Sequence, residues 1–441
     1  MKYDAPMNRA QVIALDHAHV WHPYTAMGAW RESGSTLVIR EADGSWLTDA
    51  DGKRYLDANS SWWTMSLGHR HPRLLRAAAD QLRQLDHVAF AGITHEPAAR
   101  LAEELCELAP AGLTRVFFVD NGSTAIEFAL KTCLEYFQRI GDAQRTGFLT
   151  FDGAFHGDTA GATSLGGVES FVAAFASITF PCTRLPCPWR EDEALAALAR
   201  ELHANGPRIA AVFLEPMLQG AAGMKMQSAS FLRAVRELTE AHGVLLVLDE
   251  VFAGYGRTGT FWACDKAGVV PDLLCTAKAF AQFIPMGAVL VHERIFAPFA
   301  APEASALPYG HTFNGNPFAA AIAREVLAIY RDENIVARVA KDADLFASCA
   351  ARLAAIPGVL RTRSLGFVVA ADLADPSGSE GYGGTIGWRV FAEALKRGIF
   401  LRPLGNTVYA CPPLNTGASD VTFLFEAMEE SVQSALTSPR G

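Results

Sequence analysis

Two residues in the middle of the chain have the types and positions that carbanion chemistry requires. Lys278 follows an apolar stretch at residues 273–275, and Asp249 follows another at residues 244–248. A lysine amine forms a Schiff base with an aldehyde, and an aspartate keeps a pyridine nitrogen protonated so that the ring accepts electrons. A lone lysine at a strand end is usually a solvated surface charge, so the prediction depends on the pair. Together they predict pyridoxal phosphate (PLP) as the cofactor, with Lys278 and Asp249 as catalytic residues.

A short Gly-Ser-Thr sequence suits the phosphate of such a cofactor. Gly122, Ser123 and Thr124 lie between an apolar run at 116–119 and a stretch with helical spacing of apolar residues at 124–137. Glycine lets a phosphate approach the backbone, and a helix start supplies free N–H groups and the positive end of a dipole. The same residues also suit a simple helix N-cap, and both interpretations stay open.

A second glycine-rich segment formally matches the dinucleotide-binding pattern. Gly254, Gly256 and Gly259 follow a strand, but the segment after them is short and ends at Gly268. A dinucleotide site requires a long apolar helix at this point. A nicotinamide-dependent dehydrogenase is therefore the disfavoured alternative class of protein. Arg257, inside this loop, is interpreted as a structural residue or as a contact near the substrate.

The order of apolar stretches predicts an α/β fold. Strands are expected at 116–119, 147–151, 209–214, 244–248, 273–275 and 287–291, separated by amphipathic helices such as 228–241. Continuous apolar strands that alternate with helices indicate a large domain whose mostly parallel sheet is covered by helices. From about residue 330 the pattern becomes α+β, which predicts a smaller domain. We expect an N-terminal segment at 1–65, with a strand pair at 36–40 and 54–57, to pack with the small domain at 330–441; the large PLP-binding domain is 66–329.

Composition excludes several other functions. The net charge is −9, from 38 basic and 47 acidic residues, and no basic stripe suggests nucleic-acid binding. No apolar stretch approaches the ~20 residues needed to cross a bilayer, and the first residues lack an apolar signal core. The eight cysteines are scattered, which predicts reduced thiols in a cytoplasmic protein and no metal site.

These motifs make the sequence resemble the class III, fold-type-I aminotransferases from about residue 18 to residue 414. The general motifs lie at 120–123, 248–250, 256–259, 277–278 and 311–316. Markers of one subgroup lie at 21–25, 60–63, 92–95, 156–159, 214–220 and 412–413. That subgroup implies transfer of an amino group from S-adenosylmethionine to 8-amino-7-oxononanoate in biotin biosynthesis, giving 7,8-diaminononanoate. The alternative is a class III ω-amino-acid:pyruvate aminotransferase.

The resemblance also implies roles for individual residues. Lys278 would carry the Schiff base and move the proton between substrate and cofactor, and Asp249 would pair with the pyridinium nitrogen. The other cofactor-binding residues would be Gly122, Ser123, Phe155, His311 and Thr312. The residue Thr312 would reach the phosphate of a neighbouring subunit, which implies a homodimer with a shared active site. The substrate-binding residues would be Tyr24, Trp62, Asp158, Arg257, Gly310 and Arg402.

The sequence departs from the subgroup at two places. Phe155 stands where tyrosine is usual; its ring still suits stacking on the cofactor, but a hydroxyl contact to substrate is lost. The residues after Lys278 run Ala279-Phe-Ala-Gln-Phe283 in place of a glycine-rich continuation. Both departures leave the amino donor open between S-adenosylmethionine, lysine and another amine.

Overall fold

A central sheet organises the fold in the computed structural model, which describes residues 7–34, 36–379 and 381–437. The two extremes of the predicted domains, residues 1–6 and 438–441, lie outside the described residues. The strands of the described chain are β1 (Ile39–Asp43), β2 (Trp46–Asp49), β3 (Arg54–Asp57), β4 (Leu113–Val119), β5 (Gly147–Phe151), β6 (Thr183–Leu185), β7 (Ile209–Leu214), β8 (Leu218–Gln219), β9 (Lys225–Met226), β10 (Leu245–Asp249), β11 (Leu273–Thr276), β12 (Gly287–His292), β13 (Val359–Leu365), β14 (Val368–Leu373), β15 (Ile399–Phe400) and β16 (Thr407–Ala410).

Helices precede, separate and follow these strands. Most of the long ones carry an apolar face and a polar face, as expected for helices that cover a sheet. In the described ranges they are α1 (Arg9–His19), α2 (Met27–Glu32), α3 (Ser60–Trp63), α4 (Pro72–Leu82), α5 (Glu96–Leu108), α6 (Gly122–Arg139), α7 (Ala160–Ser164), α8 (Glu169–Val172), α9 (Glu191–Asn205), α10 (Ala229–Ala241), α11 (Glu293–Phe296), α12 (Pro317–Asp332), α13 (Ile335–Ala354), α14 (Ile386–Lys396) and α15 (Ala418–Thr437).

The large sheet is mostly parallel. Within the described residues it has seven strands in the order β4-β12-β11-β10-β7-β5-β6. Only β12 runs antiparallel to its neighbours, β11 and β4, and the other pairs are parallel. The predicted α/β class is therefore confirmed. The sequence analysis missed β6, which is only a short edge strand.

The central strands β7 and β10 of this sheet are apolar almost throughout because both of their faces are buried. In β10, Leu246 and Leu248 belong to the main hydrophobic core, whereas Leu245 and Val247 point into a second core that α6 covers. Side chains along a strand alternate between faces, so a strand with helices on both sides needs an apolar residue at every position. In these central strands the polar residues are therefore found at the carboxyl end, as Asp249 is in β10.

Two of the three smaller sheets among the described residues belong to the N-terminal and C-terminal parts of the chain. The first has the order β1-β2-β3-β15, and β15 from the C-terminal part pairs in parallel with β3. The predicted direct pairing of 36–40 with 54–57 is wrong, because β2 lies between β1 and β3. This strand was missed because Thr48 and Asp49 interrupt its short apolar run. The other sheet has the order β13-β14-β16. The domain boundaries at 65 and 329 stay a prediction; the latter falls within the last turn of α12.

A buried ion network joins the β8–β9 hairpin to the β13–β14–β16 sheet. The Asp372 carboxylate accepts bonds from Lys225 Nζ and Arg363 Nη2, each at 2.7 Å, and from the Thr407 hydroxyl. Burial alone would raise the pKa of Asp372, but the hydrogen bonds and charges of Arg363 and Lys225 lower it to about 2. The network therefore stabilises the folded chain only while this carboxyl is ionised.

Replacing Asp372 with Asn tests this network. Because Lys225 and Arg363 would lose their counter-ion, we expect the free energy of unfolding to fall by about 3 kcal/mol at pH 7. The folded-state pKa lies below the usual 3.8, so the difference from wild type should be constant above about pH 5 and narrow as the pH falls below about 4. Thermal unfolding across this pH range measures it, with exposed Glu303→Gln as the control. An unfolding temperature equal to that of the control at pH 7 would contradict the prediction.

Candidate active site

The carboxyl ends of the parallel strands meet at one edge of the large sheet and surround a cavity of about 720 Å³. Parallel strands bring the residues that follow them to a common edge, where α/β proteins bind ligands. Asp249 ends β10, and Lys278 follows the adjacent β11. Six of the residues predicted from sequence line the cavity: Gly122, Ser123, Phe155, Asp158, Asp249 and Lys278.

Asp249 is fixed by two hydrogen bonds at the bottom of the cavity. Its Oδ2 accepts from His156 Nδ1 at 2.8 Å, and its Oδ1 accepts from the Val251 amide at 3.1 Å. Burial alone would lower the pKa of His156, but the bond to Asp249 and its charge, with the charge of Glu215, raise it. These bonds fix the Asp249 carboxylate at the cavity, where it could pair with a protonated pyridine nitrogen.

Lys278 lies across the cavity in a strained conformation. Its φ of 52° is in the left-handed region, which is uncommon for a residue with a side chain. Burial lowers the pKa of its amine, and the charges of Asp249 and Glu215 oppose that shift. The amine lies 4.5 Å from the centre of the Trp63 ring. A lowered pKa leaves more of the neutral amine, which is the form that attacks an aldehyde or accepts a proton.

The start of α6 combines both interpretations that the sequence left open. The Asn121 side chain accepts from the Thr124 amide and caps the helix, so Thr124 belongs to the cap. Gly122 and Ser123 line the cavity instead. A Cβ on Gly122 would lie 2.9 Å from Val251, and one on Gly157 would lie 2.0 Å from the Ser123 hydroxyl. The helix start is therefore a cradle in which glycines at 122 and 157 make room for Val251 and the Ser123 hydroxyl, and its free N–H groups suit a phosphate.

Aromatic side chains surround the entrance to the cavity. The Tyr24 hydroxyl donates to both Asp158 oxygens, at 2.6 and 2.7 Å, and its ring contacts Trp62 and Phe171. Arg402 lies near Trp62, with its guanidinium carbon 5.5 Å from the ring centre, and donates to the Tyr24 carbonyl. Four predicted substrate residues, Tyr24, Trp62, Asp158 and Arg402, are therefore brought together.

The tandem tryptophans stand on a left-handed turn. Ser60, Ser61, Trp62 and Trp63 have φ angles of 47°, 45°, 65° and 74°. Such a run costs about 1–2 kcal/mol per residue in intrinsic backbone energy, so surrounding contacts must hold it. The Ser60 hydroxyl donates to the Cys411 carbonyl at 2.6 Å, and the Trp63 indole N–H donates to the Tyr409 hydroxyl at 3.0 Å. This turn directs Trp62 to the entrance and Trp63 to the Lys278 amine.

Four other predicted residues lie away from the cavity lining. Arg257 is 3% exposed and donates to the Pro412 carbonyl at 2.6 Å, in a series of turns at 251–258 rather than before a long helix. His311 Nδ1 lies 2.7 Å from Asp120 Oδ2, at the cavity margin. Gly310 and Thr312 are exposed beside it. Their ligand-binding roles stay predictions.

The sequence analysis missed several residues around the cavity. Glu215 follows β7 as Asp249 follows β10, so an acid directly after a buried strand was an available signal. Burial and the nearby Asp249 raise the pKa of Glu215 to about 7, against the opposing charge of His156 and two backbone bonds. Phe171 and Tyr382 join the entrance through ring contacts, but their distant sequence positions gave no signal.

A comparison with known proteins defines the class to which this fold and site belong. Residues 28–432 match the family described as aminotransferase class-III. The chain is 40% identical over 426 residues to the adenosylmethionine-8-amino-7-oxononanoate aminotransferase of Synechococcus elongatus, with 94% of this chain and 98% of that protein covered. The chain therefore belongs to the class III aminotransferases.

Solved structures agree with this assignment. The adenosylmethionine-8-amino-7-oxononanoate aminotransferase of Methanocaldococcus jannaschii superposes with a TM-score of 0.93 at 31% identity, covering 97% of this chain and 99% of that one. An (S)-enantioselective omega-transaminase from Thermomicrobium roseum gives 0.91 at 29% identity, covering 98% and 100%. Class III aminotransferases depend on PLP, so the enzyme class and cofactor predicted from sequence are confirmed.

The cavity fits PLP by its own geometry. It joins the start of α6, a hydrogen-bonded aspartate and a half-buried lysine in one space. Among the described residues, the buried His156 Nε2 and Asp120 Oδ1 have no hydrogen-bond partner.

Across the same described residues, no helix is long and apolar enough to cross a membrane, and no group of His, Cys, Asp and Glu side chains could hold a metal ion.

Replacing Gly157 with Ala tests the helix-start cradle. The new methyl group would collide with Ser123, so we expect PLP affinity to fall at least about tenfold. Equilibrium dialysis of the apoenzyme with PLP measures this. Gly141→Ala is the matched control, because Gly141 also has a positive φ but has open space around it. Equal PLP affinity of the two variants would rule out the predicted contact of Ser123 with the cofactor.

Proposed function

We propose that this chain converts 8-amino-7-oxononanoate to 7,8-diaminononanoate with S-adenosylmethionine as the amino donor, a step of biotin biosynthesis. The observation that carries the proposal is the position of Arg402 at the aromatic entrance. Its guanidinium is flanked by Trp62 and Trp388, with ring centres 5.5 and 5.2 Å from the guanidinium carbon. An apolar passage that ends in a cation suits a long alkyl chain with a terminal carboxylate. The names of the two aminotransferase relatives described above support the same reaction.

Three groups of this chain would hold the cofactor. Gly122 and Ser123 would bind its phosphate at the start of α6, where the helix dipole and free N–H groups favour an anion. Asp249 would pair with the ring nitrogen, and Lys278 would attach to the aldehyde. When bound, PLP supplies a ring that accepts electrons from the substrate carbon. The ring of Phe155, at the cavity wall, would stack on it.

Lys278 would also move the proton. Its lowered pKa leaves more of the amine in the neutral form that accepts a proton, and its position beside the Trp63 ring keeps it inside the cavity. The ring of Trp63 would stabilise the ammonium that forms after proton uptake. The amine could then return that proton within the same site.

The entrance residues would orient the acceptor. Arg402 would bind its carboxylate, and Trp62 would contact its alkyl chain. Asp158 has its two oxygens already paired with the Tyr24 hydroxyl, which suits it to receive a substrate ammonium beside Tyr24. Arg257 supports the entrance indirectly, since it donates to the Ser60 hydroxyl at the base of the tryptophan turn.

A homodimer would complete the site. Thr312 and its neighbour Phe313 are exposed beside His311, and 59% of Phe313 is accessible. Helix α1 has no buried residue, and Trp21 after it is 88% exposed. These surfaces support an interface through which Gly310 and Thr312 would reach the active site of the partner.

We also propose a cytoplasmic location, in line with its eight free cysteines among the described residues.

A second candidate is an ω-amino-acid:pyruvate aminotransferase. It is favoured by the similarity to the omega-transaminase from Thermomicrobium roseum. Phe155 and Phe283 both line the cavity, so the two departures from the subgroup face the reacting groups. An apolar residue at either place would affect the choice of amino donor more than it affected the binding of a carboxylate at Arg402.

Donor and acceptor assays decide between these functions. We expect wild type to form 7,8-diaminononanoate from 8-amino-7-oxononanoate and to restore growth without biotin in a strain that lacks this step. S-adenosylmethionine, lysine and other amines should be compared as donors. Lys278→Ala is the inactive control and should lose the visible cofactor band that borohydride removes from wild type. Efficient use of pyruvate together with an inert oxononanoate would refute the biotin-pathway proposal.

Replacing Arg402 with Met tests the carboxylate site. The loss of a charge-assisted bond should raise KM for 8-amino-7-oxononanoate about 10- to 100-fold. The value of kcat should change less, because the bond exists both before and during the reaction. Arg397→Met is the control, since Arg397 pairs with Glu393 and Glu430 outside the cavity. A fall in kcat without a rise in KM would place Arg402 elsewhere in the mechanism.

A further inference from the structure

Glu215 is a buried carboxylate whose two oxygens bond to two different loops. Its Oε1 accepts from the Phe155 amide at 3.0 Å, and its Oε2 accepts from the Gly220 amide at 2.9 Å. Its own carbonyl accepts from the Gln227 side chain at 2.6 Å. The side chain also lines the cavity that contains Asp249 and Lys278. Glu215 therefore joins the loop after β5 to the turn of the β8–β9 hairpin at the cavity wall.

These two loops are also joined by a chain of aromatic contacts. The Phe155 ring lies 5.7 Å from that of Phe171, and Phe171 lies 4.6 Å from Tyr382. The Tyr382 hydroxyl donates to the carbonyl of Ala221, the residue after Gly220, at 2.8 Å. The contacts thus form a closed ring from Glu215 through Phe155, Phe171, Tyr382 and Ala221 back to Glu215. We call the Phe155, Phe171 and Tyr382 side of this ring the aromatic wall.

Tyr24 links the aromatic wall to the substrate entrance. Its ring lies 5.4 Å from Phe171, and its hydroxyl holds Asp158. A displacement of Phe155 or Ala221 would therefore move the groups that face the substrate. On its polar side the ring is closed by the two carboxylate oxygens, beside one bond from the Gln219 side chain to the Asp152 carbonyl at 3.2 Å.

We propose that Glu215 is a positioning residue that sets the shape of the substrate pocket by fixing both ends of the aromatic wall. The inference rests on the proposed function, because the wall matters only if a long-chain substrate passes it. Glu215 does not need to touch the substrate, since it acts through the backbone of Phe155 and Gly220. A carboxylate is needed because it can accept two N–H bonds at once, whereas the amide of Gln offers one acceptor and places a donor against the second N–H.

Glu250 offers a matched comparison within the same chain. Its two oxygens also accept two backbone N–H bonds, from Ala263 at 2.8 Å and Cys264 at 2.9 Å, and it is 1% exposed. Burial raises its pKa to about 7, as it does for Glu215. Glu250 belongs neither to the cavity lining nor to the aromatic wall. A substitution at Glu250 therefore removes hydrogen bonds of the same kind but leaves the cavity lining and the aromatic wall unchanged.

The experiment compares Glu215→Gln with Glu250→Gln in the PLP-loaded enzyme. Both variants should lose a similar amount of thermal stability. Only Glu215→Gln should raise KM for 8-amino-7-oxononanoate, by about tenfold, with a change in kcat below about threefold. Only that variant should also change the circular dichroism of the bound PLP before substrate is added, because Phe155 faces the cofactor. Equal KM values and equal PLP spectra for the two variants would overturn the proposal.

A double substitution keeps the test decisive if Glu215→Gln is poorly folded. Phe171→Ala opens the ring of contacts on its aromatic side. The double variant Phe171→Ala/Glu215→Asp should therefore raise KM by much less than the combined effects of the two single substitutions. Full additivity would show that Glu215 acts independently of the wall. Failure of the proposed function would give a different result, because wild type would then not accept 8-amino-7-oxononanoate as a substrate. The PLP spectra of Glu215→Gln and Glu250→Gln would still show whether Glu215 holds the aromatic wall.

Discussion

Burial of the parallel strands on both faces is the constraint on which the rest of the molecule depends. A strand such as β10 has core on each side, so it carries apolar residues until Asp249 at its last position. The polar chemistry is forced to the carboxyl ends of β5, β7, β10 and β11, which the parallel arrangement gathers at one edge. The low-dielectric surroundings then couple these charged groups, and the pKa values of His156, Glu215 and Lys278 each depend on the neighbouring charges.

The same constraint explains what the sequence could and could not predict. The strands around Asp249 and Lys278 are visible as apolar runs, and the residue after each run is a natural candidate for chemistry. Arg402 and Tyr24 were assigned only through resemblance to a family, because their meeting depends on chain segments far apart. The contact of Phe171 with Tyr382 had no sequence signal at all, since aromatic residues in loops are usually read as core. The sheet of β1, β2, β3 and β15 was only partly predicted, because β2 is too short and polar to form a recognisable pattern.

Charge at the active site is balanced within a small volume. Asp249 and Glu215 face His156 and Lys278, and burial makes each isolated charge costly. Pairing His156 with Asp249 removes most of that cost where the cofactor nitrogen would bind, while Lys278 stays able to lose its proton. The ion network at Asp372 solves the same problem outside the cavity by bonding every oxygen to a cation or hydroxyl.

The left-handed turn at Ser60–Trp63 has a consequence for folding during translation. Ser60 bonds to the Cys411 carbonyl across 351 positions of the chain, and Asn59 bonds to the Tyr409 carbonyl across 350. A strained turn cannot persist without such partners, and the partners leave the ribosome about 350 residues after the turn does. The cofactor-holding strands are complete long before that moment. The nascent chain would therefore possess its catalytic lysine and aspartate well before it can recognise a substrate, and it becomes selective only after Tyr409 and Cys411 have emerged.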